Sequence, residues 1–415
     1  MIVSGLFSSI LMVWGLVWWF ILPLVLYLVL VDFWKMYVTA MYASSISWIT
    51  LEVRIPKEIL KTPKSMEQIF NGMHAIQAFI RPRDAFLKGT FQEWISFEIA
   101  GTGGGVHFYI HTPSKFKNLI ESQVYAQYPD AEVVGVDDYT HAIADVLPNK
   151  DYDIWGADYV FTNESPFPIR TYPSFEEVKE ERRVDPLSSV IETMSQLKND
   201  ELMWIQILIK PARKAFKEEG DLVIKKLSGV PIILKKGFFD GLIEGLLEFI
   251  VNLLKAPFEH PTWSAEAPKK ESDVTKLTPG KREVLEAVER KMSQLAFETG
   301  MRMIYIDRRD QFTRVNVAAL AGAFKIFNTT HMNGFVPNLA TLPGPKSLFF
   351  KKRTEFLMKE DIYRAYQLRL FPQKSMVMST EELATIYHYP MANVAAPFLH
   401  RLETKKGQPP PNLPV

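Results

Sequence analysis

Apolar and polar positions divide the chain into two regimes. Residues 1–31 include no charged side chain and are dominated by Leu, Val, Ile, Trp and Phe. A helix needs about 20 apolar residues to cross a bilayer core, so this run is long enough with residues to spare. A secretory signal differs, with a positively charged start and an apolar stretch of roughly 7–15 residues. A buried core helix rarely extends so far without a polar face. Pro23 falls inside the run, where a membrane helix tolerates a kink. Trp14, Trp18, Trp19, Tyr27 and Trp34 are rings of the type that anchors at headgroup level. The pattern predicts a transmembrane anchor over 1–34, with the span at about 11–31 and 2–10 near the far interface.

Beyond residue 46 the period changes to two. Ile49, Leu51, Val53 and Ile55 alternate with Thr50, Glu52 and Arg54, which predicts a half-buried strand. Residues 65–79 show helical spacing, with Ser65 and Gln68 placed like a capping box. Ile95, Phe97 and Ile99 alternate with Trp94, Ser96 and Glu98. A turn at 101–105 (GTGGG) then leads into Val106, Phe108 and Ile110, which makes a hairpin. Pro113 opens a helix to about 128, with Phe116, Leu119, Ile120 and Val124 on one face, and 131–137 reads as a strand. Strand, helix, strand, strand, helix, strand is the split ferredoxin-like order.

A second copy is legible further on. Residues 204–209 (WIQILI) repeat the pattern of 94–99 (WISFEI). A strand at 158–162 and a helix at 186–197 precede it, and a strand at 303–307 and a helix at 315–327 follow. The predicted class is α+β: an N-terminal transmembrane helix followed by two ferredoxin-like (split βαβ) units. They occupy 47–145 and 155–337, the second with a helical insertion at about 211–279. A helical segment and Pro-rich tail fill 338–415. Within the insertion, 237–258 places Asp240, Glu244, Glu248 and Asn252 four apart on an otherwise apolar helix. Such a helix is either buried, against its own domain or a partner, or lies in a membrane interface. Phe239, Leu246 and Leu253 are its candidate contact residues.

Near the end, 379–387 reads as a helix capped by Ser or Thr with acids in its first turn. Leu383, Ile386 and Tyr387 on it are suited to docking a partner. The final 407–415 (GQPPPNLPV) is extended or polyproline-like.

Charge refines this picture. The 48 basic and 47 acidic residues leave a net charge of +1, which argues against a dedicated nucleic-acid surface. No Lys or Arg precedes the span, whereas Lys35 follows it closely and Arg54, Lys57, Lys61 and Lys64 come after. The positive-inside rule then puts the bulk in the cytoplasm, on a single-pass inner-membrane anchor in contact with lipid. The chain has no cysteine, which excludes disulfides, thiolate zinc sites and cysteine nucleophiles and fits a reducing compartment.

Candidate chemistry is sparse. The glycines at 101–105 lie between alternating strands and lack the Lys-Ser/Thr of a phosphate loop. His107 and His111 share a strand face about 13 Å apart, too far to ligate one ion. His388 sits between Tyr387 and Tyr389 and reads as packed, and the acid pairs 180–181 and 381–382 as solvated or capping. No Gly-x-Ser-x-Gly elbow or His-Glu-x-x-His helix occurs. No catalytic, cofactor-binding or metal residue is therefore assigned, no cofactor is expected, and the chain is read as a non-enzyme.

Several runs carry a resemblance: 51–57 (LEVRIPK), 64–70 (KSMEQIF) with His74, 120–130 (IESQVYAQYPD) and 380–390 (TEELATIYHYP). Together they resemble the membrane-anchored N-terminal region, a domain of unknown function, that precedes conjugation-type DNA-translocating ATPases of the type IV secretion class. The similarity extends over about 47–415. In that family, the resemblance implies, a proline-containing tail leads into the ATPase domain, whereas this sequence stops at Val415. ATP hydrolysis is not carried over. What the resemblance implies is a membrane-anchored component that recruits or anchors a separate motor ATPase. The alternative is a structural membrane-surface scaffold whose units make subunit contacts, including in a homo-oligomer, with no motor.

Overall fold

The uncharged run continues as helix well past its expected end. α1 spans Ile2–Ser45 with Pro23 inside it. Neither Gly nor Pro occurs between 24 and 45, so nothing in the chain stops the helix at the first charged residues. The boundary expected at 34 therefore falls within α1. Over Trp18–Ser45 the helix is long and apolar enough to cross a membrane, and Trp19, Tyr27 and Trp34 are exposed on it. The computed structural model describes residues 2–56, 61–175, 185–229, 278–344, 350–391 and 401–402.

After α1 come β1 (Trp48–Pro56), α2 (Lys64–Met73), α3 (Pro82–Lys88), β2 (Ile95–Thr102), β3 (Gly105–Pro113), α4 (Lys117–Gln127) and β4 (Glu132–Val136). Then follow β5 (Tyr152–Phe161), α5 (Ser188–Ser195), β6 (Leu202–Pro211), α6 (Ala215–Leu227), α7 (Pro279–Ser293), β7 (Ala296–Arg308), α8 (Arg314–Ala323) and β8 (Phe335–Pro337). The described chain closes with α9 (Lys351–Gln367), β9 (Met376–Ser379), α10 (Thr380–Ile386) and the two-residue β10 (Arg401–Leu402). The class is α+β: an apolar N-terminal helix followed by an antiparallel sheet.

That sheet is continuous. β4-β1-β3-β2 forms one half and β8-β5-β7-β6 the other, joined through β2 and β6. β9 adds to β7, while β10 runs parallel beside β1. In the central pair, Phe97 faces Ile207 and Ile95 faces Ile209. The two six-residue patterns of the sequence are thus placed against each other in antiparallel register, with their equivalent residues Phe97 and Ile207 at the centre. The hairpin expected at 101–105 joins β2 to β3. There Gly103 is required, because a Cβ would lie 2.3 Å from the Asn199 backbone. β5 and β7 extend beyond the strands expected at 158–162 and 303–307. Nearly every residue of β7 is buried, so the alternation that marks a half-exposed strand is lost.

One face of the sheet carries the larger core, including Leu51, Phe70, Phe97, Val124, Ile191, Ile207, Phe297 and Phe327. The opposite face packs Ala100, Ile154, Trp204, Ile304 and Ile306 beneath Tyr363 and Tyr366 of α9. The C-terminal segment belongs to both layers. α9 lies on the second face, β9 pairs with the sheet, and α10 enters the first core with all seven residues buried. Leu383, Ile386 and Tyr387, expected as a docking face, are fully buried there. The Tyr387 ring meets Phe97 at 5.1 Å and Phe108 at 5.8 Å. Its apolar stripe looked like a partner surface because a short capped helix near a chain end gives no sign of which surface it covers. The correction is that this stripe fills the protein's own core.

Candidate functional site

The apolar N-terminal helix does not end in a loose tether. Trp34, Val38 and Tyr42, four residues apart, form one stripe on α1 that faces the sheet-bearing head. Trp34 Nε1 donates to the Phe86 carbonyl of α3 at 2.9 Å. Val38 is buried, its carbonyl so close to Gly89 that a Cβ there would lie 2.1 Å away. Gly89 also adopts φ +68°, which glycine takes without steric cost. Tyr42 donates to Glu93 Oε1 at 2.8 Å, and Lys115 Nζ lies 2.7 Å from Glu93 Oε2. Only Ile46 and Ser47 separate α1 from β1, and the Ser47 carbonyl accepts from the Ser114 backbone at 2.8 Å. Sequence reasoning missed this junction, although the i, i+4, i+8 spacing of Trp34, Val38 and Tyr42 was available to reveal it.

A second constellation crosses the second face of the sheet. Cross-strand register lines up Glu52, Tyr109, Glu98, Gln206, Arg302 and Asp158 on six consecutive strands. Gln206 Nε2 donates to Glu98 Oε1 at 3.0 Å, Arg302 Nη1 to Gln206 Oε1 at 3.0 Å, and Arg302 Nε to Asp158 Oδ1 at 2.8 Å. Arg369, in the turn after α9, closes on Glu98 with two bonds of 3.1 and 3.2 Å and also pairs with Asp138. Tyr139 donates to Glu98 Oε2 at 2.8 Å. At the C-terminal end of α9, the Ala365 and Tyr366 carbonyls accept from Arg302 and Gln206, where the helix dipole favours donors and cations.

The electrostatics follow from this wiring. Burial pushes the Glu98 carboxyl up, but the Arg369 charge and its hydrogen bonds outweigh that and hold it below the usual range. Asp138 also resists burial, held down to about 2 by Arg369 and Thr140. For Asp158 the balance reverses: desolvation wins over Arg302 and the carboxyl is raised. His111, on β3 beneath the Trp48 ring at 5.2 Å, falls to about 4 through burial and the nearby Arg369 charge. Glu98 and Asp158 are each paired with a buried guanidinium, Arg369 and Arg302, and Glu52 with Arg54 and His107.

A cleft of about 540 Å³ opens between α7 and the 168–174 loop. On its wall Lys291 pairs with Glu382 at 2.8 Å with both buried, and Arg290 pairs with Glu381 at 3.0 Å. Glu382 also completes a capping box with Ser379. Of the capping or solvated roles expected, Glu382 takes the capping one, and Glu381 is buried and paired with Arg290. His388 is buried, bonded to the Ala384 carbonyl at 2.8 Å and Asp185 at 2.9 Å. His107 pairs with Glu52 at 2.8 Å and His111 with Thr50 at 2.9 Å, so the two ring systems serve different partners. Among the described residues, no group of three or more His, Asp or Glu is placed to hold a metal ion.

Of the residues singled out from the sequence, Trp18, Trp19, Pro23, Tyr27 and Trp34 lie along α1, and only Trp34 is drawn into the junction. The side chain of Trp14, the residues Phe239, Leu246 and Leu253, and the tail 407–415 lie outside what is described. Leu383, Ile386 and Tyr387 cluster in the core. A family model described as a domain of unknown function, DUF8128, matches residues 37–399. The match begins inside α1 and takes in Val38, Tyr42, the whole described sheet up to β9, and α10. No curated protein matches the chain.

Proposed function

The chain belongs to the DUF8128 family, and we propose that it is a non-catalytic, membrane-anchored scaffold that holds its sheet at a set orientation beside the cytoplasmic face of a membrane. The observation that carries this reading is the junction of Trp34, Val38 and Tyr42 with α3 and Glu93. A flexible linker would let the head turn freely about its anchor; a continuous helix bolted to the head over two turns does not. The internally satisfied polar row supports a structural role for the buried charges. On the same reading the head consists of two ferredoxin-like units fused edge to edge, supported by the matching orders β4-β1-β3-β2 and β8-β5-β7-β6.

The resemblance of 51–57, 64–70, 120–130 and 380–390 to the region ahead of conjugation-type ATPases favours one class of partner. In that case the scaffold would present a separate motor ATPase at the membrane within a type IV secretion-like system. The test has two parts. The intact mass of the chain isolated from membranes of its host reads whether residues 1–45 are retained, and reporter fusions at Val415 read the side of the membrane. Retention with cytoplasmic reporter activity is expected. Removal of the segment would make it a signal and overturn the anchor. Crosslinking from the head that recovers only copies of the chain would leave the scaffold without a motor.

A further inference from the structure

The segment 79–88 (FIRPRDAFLK) sits against α1 and does nothing for the core. It contains α3, none of whose residues is buried. Phe79 is 92% exposed, and Phe86 and Leu87 are exposed as well. Arg81, Arg83 and Lys88 are exposed on the same segment. Its one acid, Asp84, is paired with Lys88 at 3.3 Å. Exposed aromatic and aliphatic side chains interleaved with cations are unusual on a surface that serves only solvent.

Depth supplies the second observation. The last residue of the uncharged run is Val31, and Trp34 Nε1 grips the Phe86 carbonyl at 2.9 Å. Three residues of helix rise about 4.5 Å. α3 is therefore held within one helical turn of the end of the apolar run. The bilayer cannot extend far beyond this level, because Tyr42 is bonded to Glu93, which in turn holds Lys115. We propose that 79–88 is an interfacial foot: Phe79, Phe86 and Leu87 enter the boundary between headgroups and acyl chains while Arg81 and Arg83 bind anionic lipid phosphates. Surface elements that combine apolar insertion with basic side chains bind membranes in this way. The foot rests on the anchoring reading above and adds to it a specific lipid class and a second point of contact, which would stop the head from tilting.

The absence of native cysteine allows the full-length chain to be labelled at single sites. Four variants, Phe79→Cys, Leu87→Cys, Leu24→Cys and Leu339→Cys, would carry an environment-sensitive fluorophore. They would be reconstituted in phosphatidylcholine vesicles with and without phosphatidylglycerol, with brominated lipid as quencher. Leu24 reports the anchor, and Leu339, exposed beyond the far edge of the sheet, reports the head away from the foot. The expected result is quenching at 24, 79 and 87 but not at 339, with quenching at 79 and 87 increased by phosphatidylglycerol. Each cation near an anionic surface is worth about fivefold in binding, so Arg81→Glu with Arg83→Glu should abolish that increase while leaving position 24 quenched. Quenching at 24 without quenching at 79 and 87 overturns the foot and leaves the anchor standing. No quenching at 24 overturns the anchoring reading itself. Protection of 79 and 87 that depends on protein density without lipid quenching identifies a second copy as the occupant and overturns the foot.

Discussion

Replacing Arg369 separates two contributions that the fold places on one residue. Its guanidinium is the cation opposite Glu98, a carboxylate with no exposed surface, and its backbone sits at φ +48°. The turn it makes is hydrogen-bonded, with Leu370 N on the Ala365 carbonyl and Arg369 N on the Tyr366 carbonyl, both at 3.0 Å. Arg369→Ala removes the cation and leaves Glu98 with neutral donors only. Breaking a buried pair from one side costs about 3–5 kcal/mol. Arg369→Gly removes the same cation but relieves a left-handed conformation that costs an L-residue roughly 1–2 kcal/mol. The glycine variant should therefore be about 1 kcal/mol more stable than the alanine variant. Adding Glu98→Gln to Arg369→Ala removes the stranded charge, and the pair should show a coupling of about 2 kcal/mol. Urea unfolding of the detergent-solubilised chain, followed by tryptophan emission, gives each difference from midpoint and slope. Trp204 reports locally, since its ring lies 5.4 Å from Tyr366 and 5.1 Å from Tyr139. A loss under about 1 kcal/mol for Arg369→Ala would show that Glu98 is not dependent on this cation. Equal stabilities for the alanine and glycine variants would refute the strain argument.

Stability should fall on mild acidification. His111 takes up its proton near 6.5 when unfolded but only near 4 when folded, so the unfolded chain holds more protons in that window, and up to about 3 kcal/mol is lost as pH drops through it. His111→Asn should flatten the slope between pH 6.5 and 4 while leaving a second loss below 3.8, where Asp138 is protonated only near 2; an unchanged slope would remove His111 as the cause. Tyr387→Ala should cost about 3–5 kcal/mol because a buried ring is lost from a packed cluster. A variant with wild-type unfolding but diminished partner capture would restore the docking role expected of that helix.

The sequence makes some of this architecture plain and conceals the rest for physical reasons. Ile49, Leu51 and Val53, or Ile95, Phe97 and Ile99, alternate because one side of their strands meets the core and the other meets polar groups, so β1 to β3 and their hairpin are readable. The repeat of 94–99 at 204–209 was also visible, yet nothing local says that the two copies pair with each other; that contact is set by register across about a hundred residues. The polar row is invisible for the same reason. Glu98, Gln206, Arg302 and Asp158 look like ordinary polar positions until the strands align them. Arg369 gave no signal, since a left-handed arginine resembles any other in sequence. The runs that carried the resemblance prove to be largely core: Leu51, Ile69, Phe70, Ile120, Val124 and Leu383 are all fully buried. As buried positions they report packing and not a docking surface.

The position of α10 and Arg369 also dictates an order of events during synthesis. α1 is complete at residue 45, but the arginine that closes the second face and the helix that fills the first core emerge only between 369 and 386, more than 320 residues later. At a synthesis rate of roughly 5–20 residues per second, that is a delay of some tens of seconds. Once β7 is complete at residue 308 the central strands can pair, but the last element of each face is still to be made. On the anchoring proposed above, the nascent chain would wait at the bilayer with two unfinished apolar surfaces. Its yield in the cell should therefore be sensitive to ribosome pausing and chaperone supply between the making of α1 and the arrival of the clasp.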